Sequence, residues 1–147
     1  MADDALQLEQ FLCFSVYAAG HAFSRVYKPF LRELGLTYPQ YLAMVALWQE
    51  DNQTVGQIGE KLFMETSTLT PLLKRLESGG YVRRSRDTAD ERVVRIALTD
   101  QGRALRDKAA KVPLGILHAM GQDAGKLKAI QADLTLLRDT LIENAAE

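Results

Sequence analysis

The chain has 147 residues, 47% of them apolar and 25% charged, with a formal net charge of −1. That length holds one modest core, or one domain with helical extensions, and the whole-chain charge does not announce a nucleic-acid partner. The single cysteine, Cys13, excludes an intrachain disulfide, and no apolar run approaches the ~20 residues that span a bilayer. The chain begins Met1-Ala2-Asp3-Asp4 with no basic-then-apolar leader, so a reducing, cytoplasmic setting is expected.

Residues 5–34 are predicted as one long helix, because Leu8, Phe11, Leu12, Val16, Ala19, Phe23, Val26, Phe30 and Leu34 recur at three- and four-residue steps. Phe14, Ala18 and Ala22 widen the apolar surface beyond one stripe. A helix this apolar must be buried on more than one side, and a partner subunit is the expected cover. Gly35 stops it. Thr37-Tyr38-Pro39-Gln40 reads as a capped helix start, with Gln40 at the third position of a capping box and Pro39 tolerated in the first turn. That helix runs to about Gln49, and Asp51-Asn52-Gln53 reads as a turn. Thr54 caps another helix, which carries Val55, Ile58 and Leu62 inward. After the connector Phe63-Met64-Glu65 comes a helix from about Thr66 to Ser78, with Pro71 early in it and Gly79-Gly80 ending it.

Residues 81–86 and 93–98 read as short strands. In the second, Val94, Ile96 and Leu98 alternate with Arg95 and Ala97. The polar Asp87-Thr88-Ala89-Asp90-Glu91 between them makes a hairpin with a charged tip. Thr99 caps a helix expected to run to Val112, where Pro113 bends or breaks it, and residues 121–125 form a loop. The last helix carries Leu127, Ile130, Leu134, Leu137 and Leu141 at heptad spacing, a seam suited to another helix. The expected fold class is mainly α with a small β-hairpin wing: a winged helix-turn-helix, dimerised through its N- and C-terminal helices.

The helix at 66–78 is the expected recognition helix. Thr66, Ser67, Thr68 and Thr70 suit base edges and phosphates, and a helix N-terminus favours phosphate. Lys74 and Arg75 lie further along, within reach of backbone phosphates. Between Lys61 and Arg86 there are six basic residues and two acidic ones, a local balance of +4. The hairpin carries Arg83, Arg84 and Arg86 on the way out and Arg92 on the way back. An arginine at a hairpin tip fits a narrow minor groove, and Asp90, two residues from Arg92, can hold its guanidinium in one pose. A basic run alone is ordinary solvated surface; the order helix, helix, hairpin, with hydroxyls ahead of basic residues, points to DNA.

Asp90-Glu91-Arg92 followed by Leu98-Thr99-x-x-Gly102 resembles the wing motif of the MarR family of transcriptional regulators. Leu69-Thr70-Pro71-Leu72-Leu73-Lys74-Arg75-Leu76 resembles its recognition helix. The resemblance covers about Leu8 to Leu141. It implies a single domain over 1–147, with dimerisation helices at 5–36 and 114–147. The DNA-binding lobe would span 37–112, with its recognition helix at 66–78 and its wing at 81–98. It further implies a homodimer on a pseudo-palindromic operator, with Arg92 in the minor groove and Asp90 orienting it.

Cys13 sits among apolar residues of the first helix. On its own it reads as an inert buried hydrophobe, too far into the predicted helix for the dipole to act on it. Tyr17 is one turn on, on the same face. Tyr27 is fourteen residues on, about 21 Å along a straight helix, beyond reach within one chain but not across an antiparallel dimer. Tyr38 starts the next helix and would travel with Tyr27. Phenol hydroxyls that donate to a thiolate make a cysteine reactive.

Within the MarR family, Leu12-Cys13-Phe14 with Tyr17, Val26-Tyr27 and Leu36-Thr37-Tyr38-Pro39-Gln40-Tyr41 resembles the organic hydroperoxide sensors, the OhrR type. The resemblance implies that Cys13 is the redox sensor, that Tyr27 and Tyr38 of the other subunit are its hydrogen-bond partners, and that Tyr17 lines the pocket. It also places Glu65 to Thr68, with Arg84 and Arg86, against DNA. Gly121-Gln122-Asp123-Ala124 lacks the second cysteine that some members carry near the start of the last helix. Oxidised Cys13 would therefore stop at the sulfenic acid, form a sulfenamide, or take a low-molecular-weight thiol, the outcome favoured here.

The expected function is thus a DNA-binding repressor, not an enzyme, released from its operator by an organic hydroperoxide. No cofactor, metal or membrane partner is expected; His21 and His118 lack ligand-like neighbours, and Tyr41 and Trp48 read as core. The alternatives are a MarR-type repressor released by a small phenolic ligand with Cys13 incidental, a one-cysteine thiol peroxidase, and a dimerisation module that binds no DNA.

Overall fold

The computed structural model describes residues 5–145; the opening Met1-Ala2-Asp3-Asp4 and the last two residues of the expected domain lie outside them. In chain order come α1 (Leu12–Leu34), α2 (Tyr38–Gln49), β1 (Gln53–Thr54), α3 (Val55–Leu62), α4 (Thr66–Ser78), β2 (Val82–Arg86), β3 (Val94–Leu98), α5 (Asp100–Ala109), α6 (Val112–Met120) and α7 (Ala124–Asn144). The chain divides into two compact units, Met1–Pro113 and Leu114–Glu147. No helix of the described residues is long and apolar enough to cross a membrane.

The first unit is a winged helix-turn-helix, as expected. Its helix starts follow from their caps: Thr37 Oγ1 accepts from Gln40 N and Gln40 Oε1 from Thr37 N, and Thr54 and Gln57 repeat the arrangement. Gly35 ends α1 in the left-handed conformation at φ 70°. The core gathers Ala43, Met44 and Leu47 of α2, Ile58 of α3, Leu69, Leu73 and Leu76 of α4, and Val82 and Ile96 of the sheet. The three antiparallel strands lie in the order β1-β3-β2, with Val82 opposite Leu98 and Gln53 opposite Ile96.

Three expectations are corrected. The first helix does not begin at residue 5: a 3-10 turn spans Leu8–Gln10, Phe11 is extended, and α1 begins at Leu12. The apolar spacing continues through the break, so periodicity alone runs the two together. Gln53 does not belong to a turn but opens β1. Its buried side chain donates from Nε2 to the carbonyls of Ala46 and Glu50, tying the strand to the end of α2. The helix after Thr99 stops at Ala109 rather than Val112. Pro113 has no N–H to bond the carbonyl of Ala109, and it sits instead in the first turn of α6, where a missing donor is harmless.

One junction joins the wing to the helices. Gly102, in the first turn of α5, lies so close to β2 that a Cβ there would fall 2.0 Å from the Tyr81 carbonyl oxygen. Thr99 holds the approach: its Oγ1 accepts from Gly102 N at 3.0 Å and donates to Gly80 O at 2.6 Å, while its N–H donates to Tyr81 O. Trp48 Nε1 completes the junction from α2 by donating to Gly102 O at 2.9 Å.

Outside this core much apolar surface is left uncovered within the single chain. Only the last turns of α1, with Leu31 and Leu34, are buried, whereas Leu12, Phe14, Val16 and Phe23 are exposed. Pro29 sits inside α1 without breaking it. In the second unit, Asp123 caps α7 through Lys126 N. Leu127 and Leu137 of its heptad seam are half-buried, and Ile130, Leu134 and Leu141 are exposed.

Gly102→Ala is expected to lower the unfolding free energy by about 2 kcal/mol or more, since backbone rather than a flexible side chain must move. Gly56→Ala in α3, whose nearest neighbour is 3.9 Å from the added carbon, is expected to be neutral or stabilising by up to about 1 kcal/mol. Urea unfolding of both variants checks this; equal effects would contradict the packing described.

Candidate functional site

Two clusters lie in the first unit. The first is the surface formed by α4 and the hairpin. Leu69, Leu72, Leu73 and Leu76 turn one face of α4 into the core. Thr66, Ser67, Thr68, Lys74 and Arg75 are exposed on the other, and Thr70 is half-buried. Glu65 is the N-cap but its side chain makes no cap hydrogen bond to the first-turn amides. Between α3 and α4, Phe63 holds a left-handed backbone at φ 56° and is exposed.

The far end of α4 is tied to the hairpin by Glu77 Oε2, which accepts from Arg84 N at 2.8 Å. Arg83 and Arg86 are exposed and Arg84 is half-buried, its Nε shielded from solvent without a hydrogen-bond partner among the described residues. Arg86 Nη1 donates to Glu91 O at 2.9 Å across the hairpin loop. At the tip, Asp90 Oδ1 accepts from both Arg92 N at 3.1 Å and Arg92 Nε at 3.2 Å, with the Arg92 side chain 91% exposed. The aspartate–arginine pose expected at the tip is therefore formed. Two residues given no role from sequence also shape this loop: Asp87, whose carboxylate accepts from Ala89 N and Asp90 N, and its ion-pair partner Arg95. Their signal in the sequence was only opposite charge eight residues apart, which means nothing until the hairpin pairs Arg95 with Ser85.

The second cluster is divided along α1. Cys13 is exposed, not buried, and is the second residue of the helix. The expectation that Cys13 lies well beyond the first turn of its helix is corrected by the late start of α1, which puts it within that turn. Tyr17 is exposed one turn on, its ring edge-on to His21 at 4.4 Å. The sequence signal for this contact is the spacing of four between Tyr17 and His21.

Tyr27 lies at the other end of α1, half-buried. Its ring centroid is 4.8 Å from Tyr38 and 5.8 Å from Tyr41, and Tyr41 is in turn 6.5 Å from Trp48. Tyr27 and Tyr38 are thus brought together as expected, and Tyr41, read as core and indeed buried, joins them. Burial and the neighbouring phenols push the Tyr27 hydroxyl up to about 12. Burial likewise raises Tyr38 and, with Tyr38 beside it, Tyr41. All three therefore stay protonated, as donors, at neutral pH. Because α1 is unbroken from Leu12 to Leu34, Cys13 and Tyr27 of one chain stay about 21 Å apart. An open depression of about 300 Å³ lies beside the aromatic cluster, lined by Tyr41, Val45, Trp48 and Arg106 among others.

Residues 25–109 match a family described as transcriptional regulator SarA/Rot. The chain is 48% identical over 139 residues to the HTH-type transcriptional regulator TtmR of Methylorubrum extorquens, covering 95% of this chain and 71% of that one. It is 43% identical over 138 residues to the organic hydroperoxide resistance transcriptional regulator of Bacillus subtilis, covering 94% of each. Among solved structures it is similar to reduced AbfR bound to DNA, with a TM-score of 0.83 at 34% identity over 97% of this chain and 98% of that one. A disulfide-formed AbfR scores 0.63 at 34% identity, over 100% and 98%. AbfR comes from Staphylococcus epidermidis.

Folding favours the protonated Tyr27 phenol. Its contribution to stability is present in full below the ordinary value of 10.0 and is lost as pH rises toward about 12. The unfolding free energy of Tyr27→Phe, followed in urea across that range, is expected to fall less steeply than that of the wild type. An equal fall in both proteins would contradict the burial of Tyr27.

Proposed function

The chain belongs to the MarR-type winged helix transcriptional regulators, in the group of the organic hydroperoxide sensors, and from that membership we propose that it is a repressor released from operator DNA when Cys13 is oxidised by an organic hydroperoxide. The observation that carries the redox reading is the placement of the only cysteine, exposed in the first turn of α1, with three protonated phenols gathered at the other end of the same unbroken helix.

Neither half of that site is complete in one chain. A second copy running antiparallel through α1 brings its Tyr27 and Tyr38 to Cys13 and covers the exposed Leu12, Phe14 and Val16. The α7 seam gives the pair a second contact. In this homodimer the two lobes are spaced for successive major grooves of a pseudo-palindromic operator. The hydroxyls of Thr66, Ser67 and Thr68, with Glu65 and Thr70 beside them, face the bases. Lys74, Arg75, Arg84 and Arg86 meet phosphates, and Arg92, held by Asp90, enters the minor groove.

The chemistry is balanced by the hydroperoxide. The Cys13 thiolate attacks the terminal oxygen, the O–O bond breaks, and the alkoxide leaves and is protonated to the alcohol. The resulting sulfenic acid condenses with a low-molecular-weight thiol, forming a mixed disulfide and water. The thiolate's hydrogen bonds to the phenols are lost and bulk is added, so the lobes shift out of register with DNA. The relatives are transcriptional regulators, which favours a regulator over a thiol peroxidase, and a cytoplasmic location accords with a reduced cysteine.

DNA-binding titrations of wild type and Cys13→Ser, each with and without cumene hydroperoxide and a small thiol, test the reading. Wild type is expected to lose affinity a few hundred-fold on oxidation, about 3–4 kcal/mol. Cys13→Ser is expected to bind as tightly and to ignore peroxide. Release of Cys13→Ser by peroxide would refute the sensor assignment, and a monomer in sedimentation would refute the shared site.

A further inference from the structure

The loop between β2 and β3 has little that is apolar to hold it. Its tip residues Thr88, Ala89, Glu91 and Arg92 are exposed, yet it presents Arg92 in a defined pose. That shape is built around one carboxylate. Asp87 Oδ2 accepts from Ala89 N and Asp90 N, both at 3.1 Å, and Asp87 Oδ1 accepts from Arg95 Nε. The Asp87 backbone closes the loop by donating to Val93 O at 2.8 Å, and Val93 N donates to Asp90 O at 3.0 Å. The Asp87 side chain is only 15% exposed, against 91% for Arg92.

The anchor continues into the body of the lobe. Arg95 Nη1 donates to the carbonyl of Asn52 at 3.2 Å, in the turn that precedes β1. In the same turn Asp51 Oδ1 accepts from Leu98 N at 2.8 Å and Asp51 Oδ2 pairs with Arg103 Nη2 at 3.3 Å. Asp87 is thus the point at which the loop amides are connected, through Arg95, to the turn between α2 and β1. The hydrogen bond from Arg95 also holds the Asp87 carboxyl below its ordinary range, so it stays ionised at neutral pH.

We infer that Asp87 is a positioning residue for DNA recognition: by holding the amides of Ala89 and Asp90 and the guanidinium of Arg95, it fixes Asp90, which fixes Arg92. This rests on the reading of the hairpin as a DNA contact. Asp87 touches no DNA itself. Without its carboxylate two amides and a guanidinium lose their acceptor, the loop samples other shapes, and Arg92 must be ordered at the moment of binding, which weakens association. A residue that acts only through another has no further effect once the other is gone, and that separates this role from a general contribution to the fold.

The test is a filter-binding titration of the full-length reduced protein against a duplex of the DNA upstream of its own coding region. The proteins compared are wild type, Asp87→Ala, Arg92→Ala and the double variant, with melting temperatures alongside. Asp87→Ala is expected to weaken binding about tenfold. The double variant is expected to bind no more weakly than Arg92→Ala, and melting is expected to be near that of wild type. Asp87→Asn, which keeps an acceptor for the two amides, is expected to retain most of the affinity. Unchanged binding by Asp87→Ala, or penalties that multiply in the double variant, would overturn the inference while leaving the DNA-binding reading intact. A wild type with no salt-dependent binding to the duplex would overturn both.

Discussion

Gly102 can approach the carbonyl of Tyr81 only because it has no side chain. At that contact β2, α5 and α2 meet: Thr99 joins the strand to the helix, and Trp48 reaches across to the Gly102 carbonyl. Helix α4 depends on the same junction at one remove, because Glu77 at its end receives Arg84 from β2. The hairpin is therefore not an appendage on a helical body. Its root is packed to backbone contact, and its tip is anchored through Asp87 and Arg95 to the turn before β1.

A different constraint governs the redox half. A helix of 23 residues without a break keeps its two ends apart. Pro29 does not bend this one enough to interrupt it, and no side chain at position 13 can fold back to position 27. The same rigidity that separates the thiol from the phenols makes α1 an effective strut. In a pair of chains, a change in hydrogen bonding at one end would be transmitted along it rather than absorbed. In the proposed dimer the apolar face of its first half supplies the contact, and the tyrosines at its far end supply the chemistry.

Much of this was legible in the sequence because it depends on local rules. Thr37 with Gln40, Thr54 with Gln57, Gly35 and Thr99 each mark a boundary through backbone groups a few residues away, and each boundary falls where expected. The nearness of Tyr27 to Tyr38 is legible because a short turn joins the helices that carry them. What was not legible depends on partners distant in the chain. β1 is two residues long, too short for any periodicity, and exists because β3 is beside it. The bond from Arg95 to Asn52 spans 43 positions. The start of α1 is hidden in the sequence because apolar spacing persists through a 3-10 turn, and the relation of Cys13 to the helix end is hidden with it. The buried face of Tyr41 was legible; its ring contact with Tyr27 was not, since it depends on how α1 and α2 cross.

Trp48 is the only tryptophan in the chain, and its position has an optical consequence. Its indole N–H is held by the Gly102 carbonyl and its ring lies 6.5 Å from Tyr41, within the same run of aromatic contacts as Tyr27 and Tyr38. Indole emission responds to local polarity, to hydrogen bonding and to nearby quenchers. A displacement of the phenols on one side, or of the hairpin root on the other, alters the surroundings of this one fluorophore. The lobe thus carries an intrinsic, label-free reporter midway between its aromatic cluster and its wing.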